Sequence, residues 1–137
     1  CIQKYALTPV LIGSKEDVIC KKIYQGLPKN TIDLSGKTSL RQSMSIISNS
    51  ILSIGSDTGF TYASEALNIP TIAILGPTSK ETGAGVFSKH SLNVQKSDIW
   101  CRPCSQNGSF PCYRKTQFCM DRISTDDVFK KVEQLLA

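Results

Sequence analysis

The run Pro70-Thr71-Ile72-Ala73-Ile74-Leu75 constrains this chain more than any other stretch. Its residues are β-branched and apolar at successive positions, so both faces of the strand they form need covering. A strand of that kind belongs in a parallel sheet with helices packed on it. The run leads into Gly76-Pro77-Thr78, where the chain turns out of the sheet.

The rest of the sequence alternates in the same sense. Thr8 to Gly13 is a short β-rich run, and Ser14 offers an N-cap for a helix over 15–26 with Val18, Ile19, Ile23 and Leu27 at helical spacing. Ile32 and Leu34 mark a second strand. Thr38 or Ser39 then caps a helix carrying Leu40, Met44 and Ile47. Residues 51–54 form a third strand, and a helix runs from the Asp57-Thr58-Gly59 turn to Leu67. After the Pro70–Leu75 strand, residues 76–90 read as a flexible Gly-rich loop and 91–95 as a last strand. Thr125 or Asp126 caps a final helix with Val128, Phe129, Val132, Leu135 and Leu136. Strands alternating with helices predict a doubly wound α/β domain with right-handed crossovers. Ligands of such sheets sit beyond the C-terminal strand ends, which selects the loops 13–17, 35–39, 55–59 and 76–78.

The 55–59 loop is the richest in chemistry. Backbone amides at a helix N-terminus attract phosphate, the Thr58 hydroxyl can donate to an oxyanion, and Gly59 permits close approach. Asp57 carries the wrong charge for a phosphate. On residue chemistry it either caps the helix, the simpler role, or accepts from sugar hydroxyls.

Read whole, the segment from Asp57-Thr58-Gly59 through Tyr62-Ala63 and Pro70 to Gly76-Pro77-Thr78 resembles the signature of the heptosyltransferases, glycosyltransferases that build the lipopolysaccharide inner core. Gly13-Ser14, the stretch Leu34 to Leu40 and the run into Cys119-Met120 extend the resemblance over the chain. It implies a Rossmann-like, doubly wound domain, the C-terminal half of a two-domain GT-B enzyme that binds a nucleotide-diphosphate sugar of the ADP-heptose type. The expected donor contacts are Asp57, Thr58, Gly59 and Tyr62, with Glu16 toward the nucleoside and Thr38 on the adenine side. The family's catalytic base and a phosphate-contacting Lys would lie in sequence preceding Cys1, so no catalytic residue is assigned here. The 137 residues are accordingly read as one domain cut from a longer enzyme, itself unable to transfer sugar. The resemblance further implies inversion at the anomeric carbon, a lipopolysaccharide-type or other glycan acceptor, and work in the cytoplasm or at the cytoplasmic face of the inner membrane. Where the family carries His, this sequence has Tyr62, which donates a hydrogen bond but brings no positive charge to a diphosphate.

Four of the six cysteines form the pattern Cys101-x2-Cys104-x7-Cys112-x6-Cys119. A Cys-x2-Cys pair is a common zinc half-site, so these four are candidate ligands of a structural zinc, with free or oxidised thiols the equal alternative. No other cofactor is expected.

Charge and composition exclude more than they select. There are 16 basic and 11 acidic residues, for a net charge of +5. The excess suits anionic partners, yet the basic residues are scattered, so no nucleic-acid stripe is expected. No apolar run approaches the roughly 20 residues of a membrane span, and residues 1–5 lack the basic-then-apolar order of a signal peptide. His90, the single histidine, is read as a surface residue. Two rival readings stay open: a non-catalytic zinc-binding interaction module, and a nucleotide-sugar epimerase on the same architecture.

Overall fold

The computed structural model describes residues 2–104 and 112–137. The chain divides into two compact units, 1–46 and 47–137.

In the first unit, strand β1 (Val10–Leu11) pairs in parallel with β2 (Ile32–Asp33), joined by helix α1 (Val18–Gln25). Both strands are shorter than expected, two residues each. Helix α1 begins at Val18, not Lys15, because the Ser14 amide donates to the Asp17 carboxylate at 2.7 Å and this closed turn occupies the positions before it. The predicted apolar stripe of α1 is present but not buried: Val18 is 69% exposed and Ile19 59%, and Cys20 is the buried residue of the helix. Helix α2 (Leu40–Ser48) starts behind Ser39, which takes the cap. Its amide donates to Gln42 Oε1 at 2.8 Å, and the Gln42 amide returns to Ser39 Oγ at 3.3 Å.

The two loops at the C-terminal ends of β1 and β2 meet at Gly36. Its amide donates to the Gly13 carbonyl at 2.9 Å, its φ is +69°, and a Cβ there would stand 2.7 Å from Lys15 Cα. Only glycine fits both the left-handed backbone and the approach of another main chain.

In the second unit, β3 (Ser53–Ser56), β4 (Thr71–Ile74) and β5 (Ser91–Val94) form a parallel sheet in the order β3-β4-β5. Ser53 pairs with Thr71 and Thr71 with Ser91. Thr71, Ile72 and Ala73 are wholly buried. Successive strand residues point to opposite faces, so both faces of β4 are covered, as its sequence requires. Helix α3 (Gly59–Ala66) packs on β3 and β4, and the long C-terminal helix (Thr125–Leu136), here α5, packs on β5 and β4. Burying one side chain such as Ile72 contributes about 1.5–3 kcal/mol. Ala73 and Leu75, two apart on one face, close against Val86 from the following loop.

Two elements went unpredicted: a 3-10 turn, Lys80–Thr82, and a four-residue helix, α4 (Phe118–Asp121), that holds Cys119 buried. Helix α5 is capped by Ser124, ahead of the expected Thr125 or Asp126. The Asp127 amide donates to Ser124 Oγ at 3.1 Å, and Asp127 Oδ2 accepts from the Ser124 amide at 2.8 Å. Asp127 Oδ2 also meets Lys96 Nζ at 2.8 Å, which ties the start of α5 to the exit of β5.

Two outcomes follow for stability. Gly36→Ala should lower the stability of the first unit by about 2 kcal/mol or more, since a strained φ alone costs 1–3; a urea melt measures it, and an unchanged midpoint would contradict the close approach. The second outcome is pH dependence. The Lys96 ammonium and the two Ser124 donors hold the Asp127 carboxyl below the usual carboxylate range. Its stabilising effect is therefore complete above the unfolded value, about 4, and is lost as pH falls toward the depressed folded value. Asp127→Asn should flatten the acid limb of a stability–pH curve.

Candidate functional site

The turn between β3 and α3 is held from three directions. Thr61 Oγ1, at the first turn of α3, donates to the Ser56 carbonyl at 2.6 Å. Ser64 Oγ reaches Ser53 Oγ at 2.8 Å, fastening the helix to the strand. The third tie is Asp57 itself. Its Oδ1 accepts the Tyr62 hydroxyl, and its Oδ2 accepts the Thr78 hydroxyl at 2.8 Å.

Asp57 thus does not cap α3. The N-cap is Thr58, with extended backbone (φ −140°, ψ 163°) and no side-chain capping bond. The carboxylate is drawn away from the helix amides by two hydroxyl donors, and hydrogen bonds to a charged acceptor outweigh neutral ones. Thr78, the end of the Gly-Pro-Thr motif, is buried, so the Asp57–Thr78 bond lies in a site where an unpaired acceptor is costly.

This arrangement frees the helix N-terminus. Thr58 and Gly59 are exposed, and a Cβ built on Gly59 meets nothing within 4 Å. The first-turn amides of a helix have no acceptor within it. The turn therefore offers exposed N–H groups, a hydroxyl and open space to an anion.

Tyr62 makes two bonds, giving its proton to Asp57 and accepting the Gly85 amide at 3.3 Å. The hydrogen bond to Asp57, followed by partial burial, pushes its phenol above the ordinary tyrosine value. It stays a neutral donor across the physiological range. Through Tyr62 the turn is joined to the loop after β4, and that loop is not the flexible tract its glycines suggested. Asn93 pairs with Val86 on both sides, accepting its amide at 2.9 Å and donating to its carbonyl at 2.8 Å. Glu65 Oε1 accepts the amides of Phe87 and Ser88, both at 2.5 Å. Gly85 has φ +90°, and a Cβ there would run into the side chains of Asn93 and Leu75, so its lack of a Cβ is structural.

Beyond Thr78 stands Arg102, which sequence reasoning passed over. Its guanidinium donates to the carbonyls of Thr78 and Lys96, both at 2.6 Å, and to Gln95 Oε1 at 3.0 Å. The Cys104 amide donates to the Pro77 carbonyl at 3.2 Å. The signal for these contacts was the arginine inside the Cys-x2-Cys pair, and nothing local showed its acceptors, 6 to 24 residues away.

Glu16 and Thr38 lie in the first unit. Glu16 is exposed in the turn before α1. Thr38 Oγ1 is 2.8 Å from Ser43 Oγ. The Gly36 contact with Gly13 and Lys15 brings their two loops together at one end of β1 and β2.

Among the described residues no three or more of His, Cys, Asp and Glu are gathered so as to hold a metal ion. Cys101, Cys104, Cys112 and Cys119 carry free thiols, and the sulfurs turn to local partners instead. Arg114 Nη1 stands 3.7 Å from Cys101 Sγ, Cys104 Sγ is 3.2 Å from the Cys101 carbonyl, and Cys112 Sγ is 3.7 Å from the Thr116 carbonyl.

If Asp57 is the hub, Thr78→Val and Tyr62→Phe should each destabilise the second unit, Thr78→Val by about 1.5–3 kcal/mol as a buried bond to a charged group and Tyr62→Phe by less. Because both act on one carboxylate, the double variant should depart from additivity by about 0.5 kcal/mol or more. Strict additivity in a double-mutant cycle would sink the hub.

Comparison with known proteins bears on the whole chain. The family model of glycosyltransferase family 9 (heptosyltransferase) matches residues 3–113. A lipooligosaccharide heptosyltransferase 2 of Campylobacter jejuni is 29% identical over 126 residues, 90% of this chain and 39% of that protein. The fold is that of part of Escherichia coli ADP-heptose lps heptosyltransferase II, with TM-score 0.74 and 20% identity, over 98% of this chain and 38% of that one. It is also that of part of the iron-containing dodecameric glycosyltransferase TibC from enterotoxigenic E. coli, with TM-score 0.66 and 17% identity, over 94% of this chain and 45% of that one. The chain spans about two fifths of the length of the curated relatives it matches. It is a mixed α/β protein with parallel sheets, and it belongs to glycosyltransferase family 9, the heptosyltransferases.

Proposed function

We propose that this chain is the donor-binding, C-terminal part of a GT-B glycosyltransferase that transfers a sugar from a nucleotide diphosphate, ADP-heptose or a close analogue, to a lipopolysaccharide-type glycan. The observation that carries the proposal is the open α3 N-terminus. Asp57 is pulled aside by Tyr62 and Thr78, leaving Thr58 and Gly59 exposed. The diphosphate binds there through backbone amides and the Thr58 hydroxyl. Each Asp57 oxygen keeps a second lone pair after its internal bond, and the carboxylate takes a sugar hydroxyl. The assignment of Glu16 and Thr38 to the nucleoside rests on the family resemblance alone.

The acceptor hydroxyl is activated by a base in a second domain. The contribution of these residues is positioning and stabilisation of the leaving diphosphate. This transfer needs no cofactor. The iron of the TibC neighbour is a property of that protein. No helix among the described residues is long and apolar enough to cross a membrane. We place the enzyme in the cytoplasm, meeting its acceptor at the inner face of the inner membrane.

Titration calorimetry of variants tests the site. Gly59→Ala should leave thermal stability unchanged, since its methyl enters open space, yet weaken a nucleoside diphosphate. Thr58→Val should weaken it roughly ten- to a hundredfold, the worth of one hydrogen bond to a charged group. Asp57→Asn should weaken the nucleotide sugar more than the bare nucleotide. Parental affinity in all three would place the donor elsewhere. Sugar transfer by residues 1–137 alone would overturn the assignment of the base to another domain.

A further inference from the structure

Helix α5 has a polar stripe as well as an apolar one. Val132, wholly buried, belongs to the side that packs on β4 and β5. Asp127, Lys130, Lys131 and Gln134 recur at the i, i+3, i+4, i+7 spacing of one helix face. Together with the end of β5 and Gln95 they line a cleft of about 210 Å³. Among the described residues β5 is an edge strand. Val94 gives its carbonyl to the Leu75 amide at 2.9 Å, so, by the alternation of a strand, the main-chain N–H of Asn93 faces the open side. Asn93 also lines the cleft.

Donors dominate this lining. Asp127 is its one carboxylate, and Asp127 Oδ2 already accepts from Lys96 Nζ at 2.8 Å and from the Ser124 amide and hydroxyl at 2.8 and 2.9 Å. Gln134 Oε1 accepts from Lys131 Nζ at 3.1 Å, and Gln95 Oε1 accepts from Arg102 Nη2 at 3.0 Å. Each glutamine thus has its acceptor engaged by a cation, and what it can offer a ligand is its NH₂. An ammonium has three protons to give, so Lys131 has donors beyond that bond, and Lys130 stands beside it. Asp126 and Glu133, the other acids of the helix, are not in the lining.

We propose that the cleft between β5 and α5 is an anion site, separate from the α3 turn, that takes the phosphoryl group of a phosphomonoester. Lys130 and Lys131 supply the charge, and the NH₂ groups of Gln95 and Gln134 fix the orientation. Size decides against a larger ligand. Sites for whole small molecules run to roughly 300–1,000 Å³, so this cleft suits a group of few heavy atoms. Among such groups a phosphoryl brings three strong acceptor oxygens and close to two negative charges, where a carboxylate brings two oxygens and one charge. The site does not rest on the donor reading above, since none of its residues belongs to the Asp57 turn.

Amide-resolved NMR of the isotope-labelled protein, titrated with inorganic phosphate at constant ionic strength, tests the site. Amides of residues 93–96 and 127–134 should shift and saturate together. Lys130→Gln combined with Lys131→Gln should weaken that binding about tenfold or more, the scale of one hydrogen bond to a charged group. Gln134→Glu keeps an acceptor for Lys131 but removes the NH₂, and it should weaken phosphate as well. Lys89→Gln, outside the cleft, should leave the affinity unchanged. Unsaturable shifts at every lysine, shifts confined to residues 57–60, or parental affinity in the double variant would overturn the proposal. ADP, titrated separately, reads the α3 turn, so a failure there and a failure of the cleft are told apart. Two further arms identify the source of the ester. Phenyl phosphate reproducing the shifts in solution points to a soluble phosphomonoester. Sedimentation with phosphatidylcholine vesicles containing phosphatidic acid, lost in the double variant, points to a lipid headgroup. If neither ester binds, the proposal falls.

Discussion

A single carboxylate organises the loops of the second unit. Asp57 draws in Thr78 from the loop after β4 and Tyr62 from α3, and Tyr62 in turn receives Gly85. Two points of the loop after β4, Thr78 and Gly85, are thereby tied to the turn that opens α3. A negative charge beside a helix N-terminus reads as a helix cap while only its near neighbours in sequence are considered. Facing two hydroxyl donors, the carboxylate is stabilised where it stands, and the N-terminus of α3 is left open.

The substitution of Tyr for the family's histidine acquires meaning in this setting. A phenol gives its proton to Asp57 and accepts from Gly85 at once, and it stays neutral while doing so. The link between the turn and the loop after β4 is therefore insensitive to pH near neutrality, where an imidazole would titrate. The arginine at 102 extends the same network outward to the cysteine segment, holding Thr78 by its carbonyl while Asp57 holds it by its hydroxyl.

The fold was legible wherever periodicity and burial agreed. Residues 70–75 could be read as a doubly covered strand because no other element buries every successive residue in so short a run. The turn at 55–59 was legible as the opening of a helix because a strand, a small-residue turn and a helix follow one another in sequence. The first unit was harder to read. Val18, Ile19 and Ile23 have helical spacing, yet spacing reports a face and not what covers it, and that face is exposed. The role of Asp57 was hidden for a different reason. Capping is decided within three residues, whereas its partners are 5 and 21 residues away. Helix α4 escaped because four residues carry no period, and the 76–90 loop misled because glycine signals freedom even where tertiary bonds remove it.

The central position of β4 also bears on how the chain finds its structure. Its partners on either side lie 18 and 20 residues away along the sequence, Ser53 before it and Ser91 after it. Closing either loop costs about 2.5 kcal/mol of chain entropy beyond a constant, and the two costs are nearly equal. Neither edge can form without β4, and neither is favoured over the other by loop length. The expected transition state therefore contains β4 with one edge, so two routes of similar height lead to the native sheet. Substitutions in β4 should slow folding by both routes, while those in β3 or β5 can be bypassed through the other edge and act mainly on unfolding.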